Sequence, residues 1–237
     1  MRTKINHVTV VTMDEQFHVY ENGYVVLEGK TILETGEGEG PADVDETVNG
    51  KNGILMPGMI NTHCHIPMIP FRSLGDDCPD RLRRFLFPLE LEAMNRELIG
   101  QSTRYGVCEL LLSGVTSVLD MYYFEDQVAA ACEEMGIRAY VGQTIIDMET
   151  CDSKNTDQSL AMCEELIRKW KGHERIRPVV APHATNTNPP EVLKAAYELA
   201  ERYGVPYTLH VSEMDYELEM FRENAIRRRQ RDRKSVV

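Results

Sequence analysis

From residue 54 onward the chain alternates apolar, strand-like runs with helix-like stretches, and this order limits the fold more than any other feature. Ile54 to His65 reads as the first strand. Residues 79–113 carry a helical period, with a start expected at Pro79-Asp80, a break at Pro88 and a close at Gly114. Thr116–Tyr123, Ile137–Asp147, Ile176–His183 and Tyr207–Ser212 read as four further strands. Helices are expected between them: Glu125–Met135 stopped by Gly136, Asp157–Trp170 capped by Asp157, and a third from Pro189-Pro190 to Gly204. A short helix should begin at Asp215. Such alternation predicts a parallel sheet with helical crossovers. Five strand–helix units suit part of a (β/α)8 barrel, which has eight units and about 250 residues. The same pattern also fits an open, doubly wound sheet. No Gly-x-Gly-x-x-Gly follows the first strand, which disfavours a dinucleotide-binding sheet.

The residues before this region read differently. Residues 5–12 and 23–35 look like short strands, with a hairpin turn at Glu28-Gly29-Lys30, and 36–46 is a Gly/Glu/Pro-rich loop. The expected division is a small β-sandwich module over 1–53, an incomplete barrel over 54–223, and a basic tail over 224–237. That tail holds six Lys/Arg against one Asp, net +5, so residues 1–223 carry −17 of the chain's overall −12. It has no apolar periodicity, and its end, Asp232-Arg-Lys-Ser-Val-Val, resembles translated sequencing adapter. The tail is therefore read as foreign to the natural chain, which is expected to be cut short near residue 223.

Charge and composition exclude several classes. A net charge of −12 argues against a nucleic-acid surface. No apolar run reaches transmembrane length, and no signal-peptide pattern opens the chain. Six scattered cysteines with no close-spaced pair read as reduced thiols, so a cytoplasmic protein is expected.

Chemistry concentrates at the strand ends. Side chains on a strand alternate faces, so His63 and His65 point one way and Cys64 the other. The fourth strand ends in Ala181-Pro182-His183, and the fifth in Leu209-His210-Val211-Ser212-Glu213. In a parallel barrel the strand C-termini converge on one mouth. His63, His65, His183, His210 and Glu213 would then face a common cavity. His63, His65 and His210 supply three imidazoles for one divalent ion, leaving the open position that a catalytic metal needs. Glu213, three residues past His210, is the candidate catalytic proton carrier. Read bottom-up, His183 and His210 also fit buried core histidines, and Glu213 a first-turn helix acid. Asp120 reads as a buried structural carboxylate. His7, His18 and His173 read as surface residues.

Leu55-Met-Pro-Gly-Met-Ile-Asn-Thr-His63-Cys-His65, Gly114-Val-Thr-Ser-Val-Leu-Asp, Ala181-Pro-His183 and Leu209-His210-Val-Ser-Glu213 together resemble, in order, the motifs of the amidohydrolase superfamily. The set is similar to its deaminase and chlorohydrolase branch, which includes 5-methylthioadenosine/S-adenosylhomocysteine deaminases and triazine hydrolases. The resemblance covers about residues 5–223. It implies a metal-dependent (β/α)8 barrel with a β-sandwich built from both chain ends. It also implies one zinc or, alternatively, iron ion on His63, His65 and His210. Glu213 would be the proton shuttle and His183 a substrate contact. The fourth strand contains no lysine, and the His-x-x-Glu spacing after the fifth strand matches the one-metal deaminases. Residues 76–85 lack the Glu-Trp pair of S-adenosylhomocysteine deaminases, and Gln143 stands where those enzymes carry a substrate-binding arginine. The family's sixth-strand histidine and eighth-strand aspartate have no counterpart here.

The resemblance implies hydrolysis of carbon–nitrogen bonds, with deamination of an amino-purine, nucleoside or related small heterocycle first. A chlorohydrolase of the same branch and an inactive truncated fragment are the alternatives, and homo-oligomerisation is left open. For the 237 residues as written, the expectation is very weak metal binding and no turnover.

Overall fold

The computed structural model describes residues 1–213 and 216–223. The reading of the tail over 224–237 lies outside the described residues. The chain divides into two compact units after Met59.

The first unit is one four-stranded sheet built from β1 (Arg2–Val11), β2 (Val19–Glu28), β3 (Thr31–Glu37) and β4 (Glu46–Leu55), in the order β3-β2-β1-β4. β2 pairs antiparallel with β1 and with β3, whereas β4 lies parallel to β1. The expected hairpin is present: Glu28 pairs with Thr31, and Gly29 takes the left-handed φ of +58° that so tight a loop demands. β1 buries alternate residues, as a sheet with one covered face should. Val8, Val10 and Val25 form its small core. The two polar residues on that face are satisfied: Lys4 Nζ donates to Pro41 O (2.9 Å) and Asn6 Nδ2 to Glu39 Oε2 (2.9 Å). Among the described residues this module is one sheet, the N-terminal share of a β-sandwich expected to draw on both chain ends. One expectation is corrected. Ile54 and Leu55 end β4 in this unit and do not open the barrel strand, so the expected boundary at residue 53 falls inside a strand. Met56-Pro57-Gly58 intervenes, and proline cannot donate to a sheet ladder.

The second unit carries a parallel sheet of β5 (Met59–Cys64), β6 (Val115–Tyr122), β7 (Arg138–Ile145) and β8 (Ile176–Pro182), paired in that order. β6 to β8 run parallel in register, from Ser117↔Arg138 and Ala139↔Ile176 onward. The helices are α1 (Phe87–Ala93), α2 (Arg96–Leu112), α3 (Glu125–Met135), α4 (Thr156–Trp170) and α5 (Pro190–Tyr203), and residues 216–223 are helical. The fifth strand is reduced to parallel bridges, Val180↔Tyr207 and Ala184↔His210, supported by Thr208 N–H donating to Val180 O (3.0 Å). This is the expected α/β architecture, an arc of a (β/α)8 barrel.

Helix ends follow local chemistry, with shifts from expectation. Asn155 Oδ1, not Asp157, caps α4 by accepting from Gln158 N–H (3.0 Å). The break expected at Pro88 instead falls at Met94-Asn95, where Asn95 Oδ1 caps α2 by accepting from Leu98 N–H (3.0 Å). Pro88 sits in the first turn of α1, where a missing N–H costs nothing. Gly136 and Gly204 close α3 and α5 with φ of +82° and +60°. Between β5 and α1 the chain makes a 3-10 turn, Ile66–Phe71, and a π-helical turn, Leu82–Leu86. Gly106 of α2 packs against the first of these: a Cβ there would lie 2.6 Å from Ile66 Cγ2.

Candidate metal centre

Two of the three imidazoles of the centre are aimed by backbone carbonyls. β5 ends with His63 and His65 on one face, their ring centroids 5.2 Å apart, while Cys64 turns to the core and its thiol donates to Leu119 O (3.2 Å). His65 Nδ1 donates to Met121 O at 2.6 Å. His210 reaches the same place from the far flank of the sheet, and its Nδ1 donates to His183 O at 2.8 Å. A carbonyl can only accept, so in both neutral rings Nδ1 holds the proton and Nε2 presents its lone pair. The ligand atoms of His63, His65 and His210 all lie within 4.8 Å of one another.

The proximity is informative about the sheet. β5 and the His210 segment are separated by β6, β7 and β8. In a flat sheet four inter-strand steps span about 19 Å. The rings of His63 and His210 are 5.0 Å apart. Only a strongly curled sheet brings them together, which favours the barrel over the open sheet that periodicity left in play.

His183, directly after β8, stacks near His210 with ring centroids 4.9 Å apart and meets Phe87 edge-on at 5.7 Å. Burial, reinforced by His210 and His65, pushes its pKa down to about 3, so the ring is neutral at pH 7. Burial likewise lowers the pKa of His65. Nδ1 of His183 is within 2.9 Å of Thr187 Oγ1, whose hydroxyl is directed at Ala184 O (3.4 Å). A cavity of about 1220 Å³ opens beside this loop, lined by Arg83, Phe87, Met148, Thr185, Leu193 and Phe221 among others. It is large enough for a small heterocycle and its substituents.

Glu213 is exposed, and among the described residues its carboxylate is not in the close group of ligand atoms. Its backbone is held: Ser212 and Glu213 N–H donate to the two oxygens of Glu217, each at 3.1 Å, and Thr185 Oγ1 donates to Glu217 Oε2 at 3.2 Å. His173 is only half-buried but not idle, since its Nδ1 accepts from Ile176 N–H at 3.1 Å.

Sequence reasoning missed Glu90 and did not foresee the setting of Gln143. Glu90 of α1 is buried, and Tyr122 donates to its Oε1 at 2.7 Å. Burial pushes its carboxyl up to about 7, against the pull of the Tyr122 and Tyr123 hydroxyls. Gln143 is also buried, with Nε2 donating to Asp152 Oδ2 (2.8 Å), so it braces a loop. Neither has a signal in spacing; both depend on what packs around them.

The donor set suits a divalent ion such as zinc: three imidazoles, two with Nδ1 fixed by carbonyls as histidine ligands commonly are. A 5-methylthioadenosine/S-adenosylhomocysteine deaminase of Thermodesulfovibrio yellowstonii is 38% identical over 217 residues, covering 89% of this chain and 49% of the relative. The crystal structure of an adenosine deaminase from Xanthomonas campestris with bound zinc superposes with a TM-score of 0.84 at 30% identity, covering 91% of this chain and 50% of that one. The guanine deaminase of C. acetobutylicum shares the fold, with a TM-score of 0.82 at 21% identity over 92% of this chain and 54% of that one. The chain thus spans about half the length of the relatives it matches. No described helix is long and apolar enough to cross a membrane. The amidohydrolase family model matches residues 54–234, which is most of the sequence, and on that match the protein belongs to the amidohydrolase family.

Proposed function

We propose that His63, His65 and His210 hold one divalent cation, zinc ahead of iron, and that the complete site removes ammonia by hydrolysis from an amino-purine, a nucleoside or a related small heterocycle. The observation that carries this reading is the meeting of three imidazole ligand atoms within 4.8 Å from opposite flanks of the curled sheet. The deaminase names of relatives at 30–38% identity favour C–N cleavage over loss of chloride.

When bound, the cation supplies Lewis acidity and lowers the pKa of water towards ~7. The chain's own residues do the rest. His65 and His210 keep Nε2 free because their Nδ1 protons are committed to carbonyls. Glu213 would take one proton from the attacking water and pass it to the ring nitrogen, then take the second from the added hydroxyl and pass it to the leaving nitrogen, which departs as ammonia. Its backbone, anchored by Glu217, sets the reach of that carboxylate. Neutral His183 contacts the bound heterocycle as a hydrogen-bond partner without bringing a charge.

The test pairs metal analysis with an ammonia-release assay. Both are run on the 237-residue chain and on a version extended to the length of its relatives. A panel of amino-purines, their nucleosides and amino- and chloro-triazines serves as substrates. The expected result is one zinc per extended chain, lost in His65→Ala, and ammonia from the purine arm. An extended chain without stoichiometric metal overturns the reading. Chloride release without ammonia moves the activity to the chlorohydrolase side.

A further inference from the structure

Three consecutive residues of β6 grip the three residues at the end of β5. Leu119 O accepts from the Cys64 thiol, Met121 O from His65 Nδ1, and Asp120 Oδ1 from Ile66 N–H at 2.6 Å. Two of these acceptors are main-chain carbonyls. The third is a side chain, fully buried in the middle of a parallel sheet. A carboxylate there is costly to bury, and a structural role alone is met as well by an apolar residue.

We infer that Asp120 is a positioning residue for the metal centre, holding the peptide after His65 so that this ring keeps its Nδ1 on Met121 O and its Nε2 towards His63 and His210, with Glu125 as the group that holds Asp120 in turn. The inference rests on the reading of His65 as a ligand. Hydrogen bonds to adjacent atoms of one peptide segment and its ring leave the imidazole little freedom to rotate. The residue that follows, Ile66, is seated in the core beside Gly106.

Glu125, in the first turn of α3, faces Asp120 from the next β/α connection. Asp120 Oδ2 and both oxygens of Glu125 are sealed from solvent, and each carboxyl is a side-chain partner of the other. Two carboxyls so placed share one proton, which bonds them to each other. Burial raises both pKa values, that of Glu125 well above its usual range with the Asp120 charge adding to the rise. A proton held between the two carboxyls leaves Asp120 Oδ1 free to accept from Ile66 N–H. Asp120 is outside the close group of ligand atoms, so it acts through His65.

The test reads the ring directly and needs no metal. Histidine-selective ¹⁵N NMR of the 237-residue chain should show His65 as a fixed Nδ1–H tautomer. The Ile66 amide should exchange as slowly as its neighbours in the β6 core. In Asp120→Leu the tautomer signal is expected to shift or average. Asp120→Asn, which can still accept from Ile66 and donate to Glu125, should retain it. Glu125→Gln should retain it as well, and Glu125→Leu should not. In cobalt titrations the leucine variants are expected to bind about 10–100-fold more weakly, the range for lost outer-shell partners. Their visible spectrum should change, a signature that a loss of folding stability alone would not produce. An Ile66 amide that exchanges at loop rates in the unaltered chain overturns the inference, even if no leucine variant folds. A fixed tautomer in folded Asp120→Leu overturns it too. If the extended chain takes up no cobalt while the tautomer is fixed and lost in Asp120→Leu, the metal reading fails together with the role of Asp120 in a metal centre, and what stands is that Asp120 fixes the His65 ring.

Discussion

In the second unit, β6 to β8 and the segments that flank them differ sharply in burial. β8 is buried at every position but one, and β7 at all but two. β5 has no fully buried residue, with Ile60 69% exposed, and Tyr207–His210 is half-buried throughout. All three candidate ligands lie on the flanks and none on the inner strands. β8 (Ile-Arg-Pro-Val-Val-Ala-Pro) is nearly all apolar, as a strand covered on both faces should be. Among the described residues, the buried strands β7 and β8 lie inside the arc, and the three candidate imidazoles come from the segments that flank it, which the curl brings together.

Substitutions can break that separation. The largest effect is expected at Ile176, fully buried in β8: Ile176→Ala should cost ~2–5 kcal/mol in urea unfolding. The same variant should leave zinc affinity of the folded fraction unchanged; a parallel loss of affinity would merge the two roles. Next comes Glu90, which packs against β6 through Tyr122. Its folded pKa, about 7, lies above the ordinary 4.5, so its neutral form is the one the fold favours. Stability is thus highest below pH 4.5 as far as this group is concerned, and is lost as pH rises through 7. Glu90→Gln should remove that slope and raise stability at pH 8 by up to about 3 kcal/mol. Unfolding curves from pH 5 to 8 that stay parallel for both proteins would contradict the assignment. Asn155→Ala removes the cap of α4, the helix over β7 and β8, and should cost about 1 kcal/mol by thermal melting. Ile60→Thr, on the exposed flank, should change stability by less than about 0.5 kcal/mol. A larger loss there would show that β5 contributes to stability as the inner strands do.

The candidate histidines stood out through two local rules, alternation along a strand and the gathering of strand ends in a parallel barrel. For His183 and His210 these rules left a buried core histidine equally open, and their roles came from the family resemblance. What sequence reading mislaid depends on packing. Ile54-Leu55 looked continuous with the metal-bearing strand, since an apolar run does not say which sheet it joins. Pro88 looked like a break because its position in a helix, which decides the matter, is not written in its neighbours. Asn155 was passed over for Asp157, two residues inside the helix it was meant to cap. Glu90, Gln143 and Glu217 are ordinary polar residues until other elements close over them.

Gly106 makes one last point. A hydrogen atom is all that separates the backbone of α2 from the Ile66 side chain, one residue beyond His65. The clearance between a helix on the outside of the arc and the turn under the imidazoles is therefore gauged by a single Cα. Any side chain there would act as a shim, nudging His63 and His65 while leaving His210 where it is. Position 106, remote from the chemistry in sequence, is thus a fine adjustment screw for the bite of the whole centre.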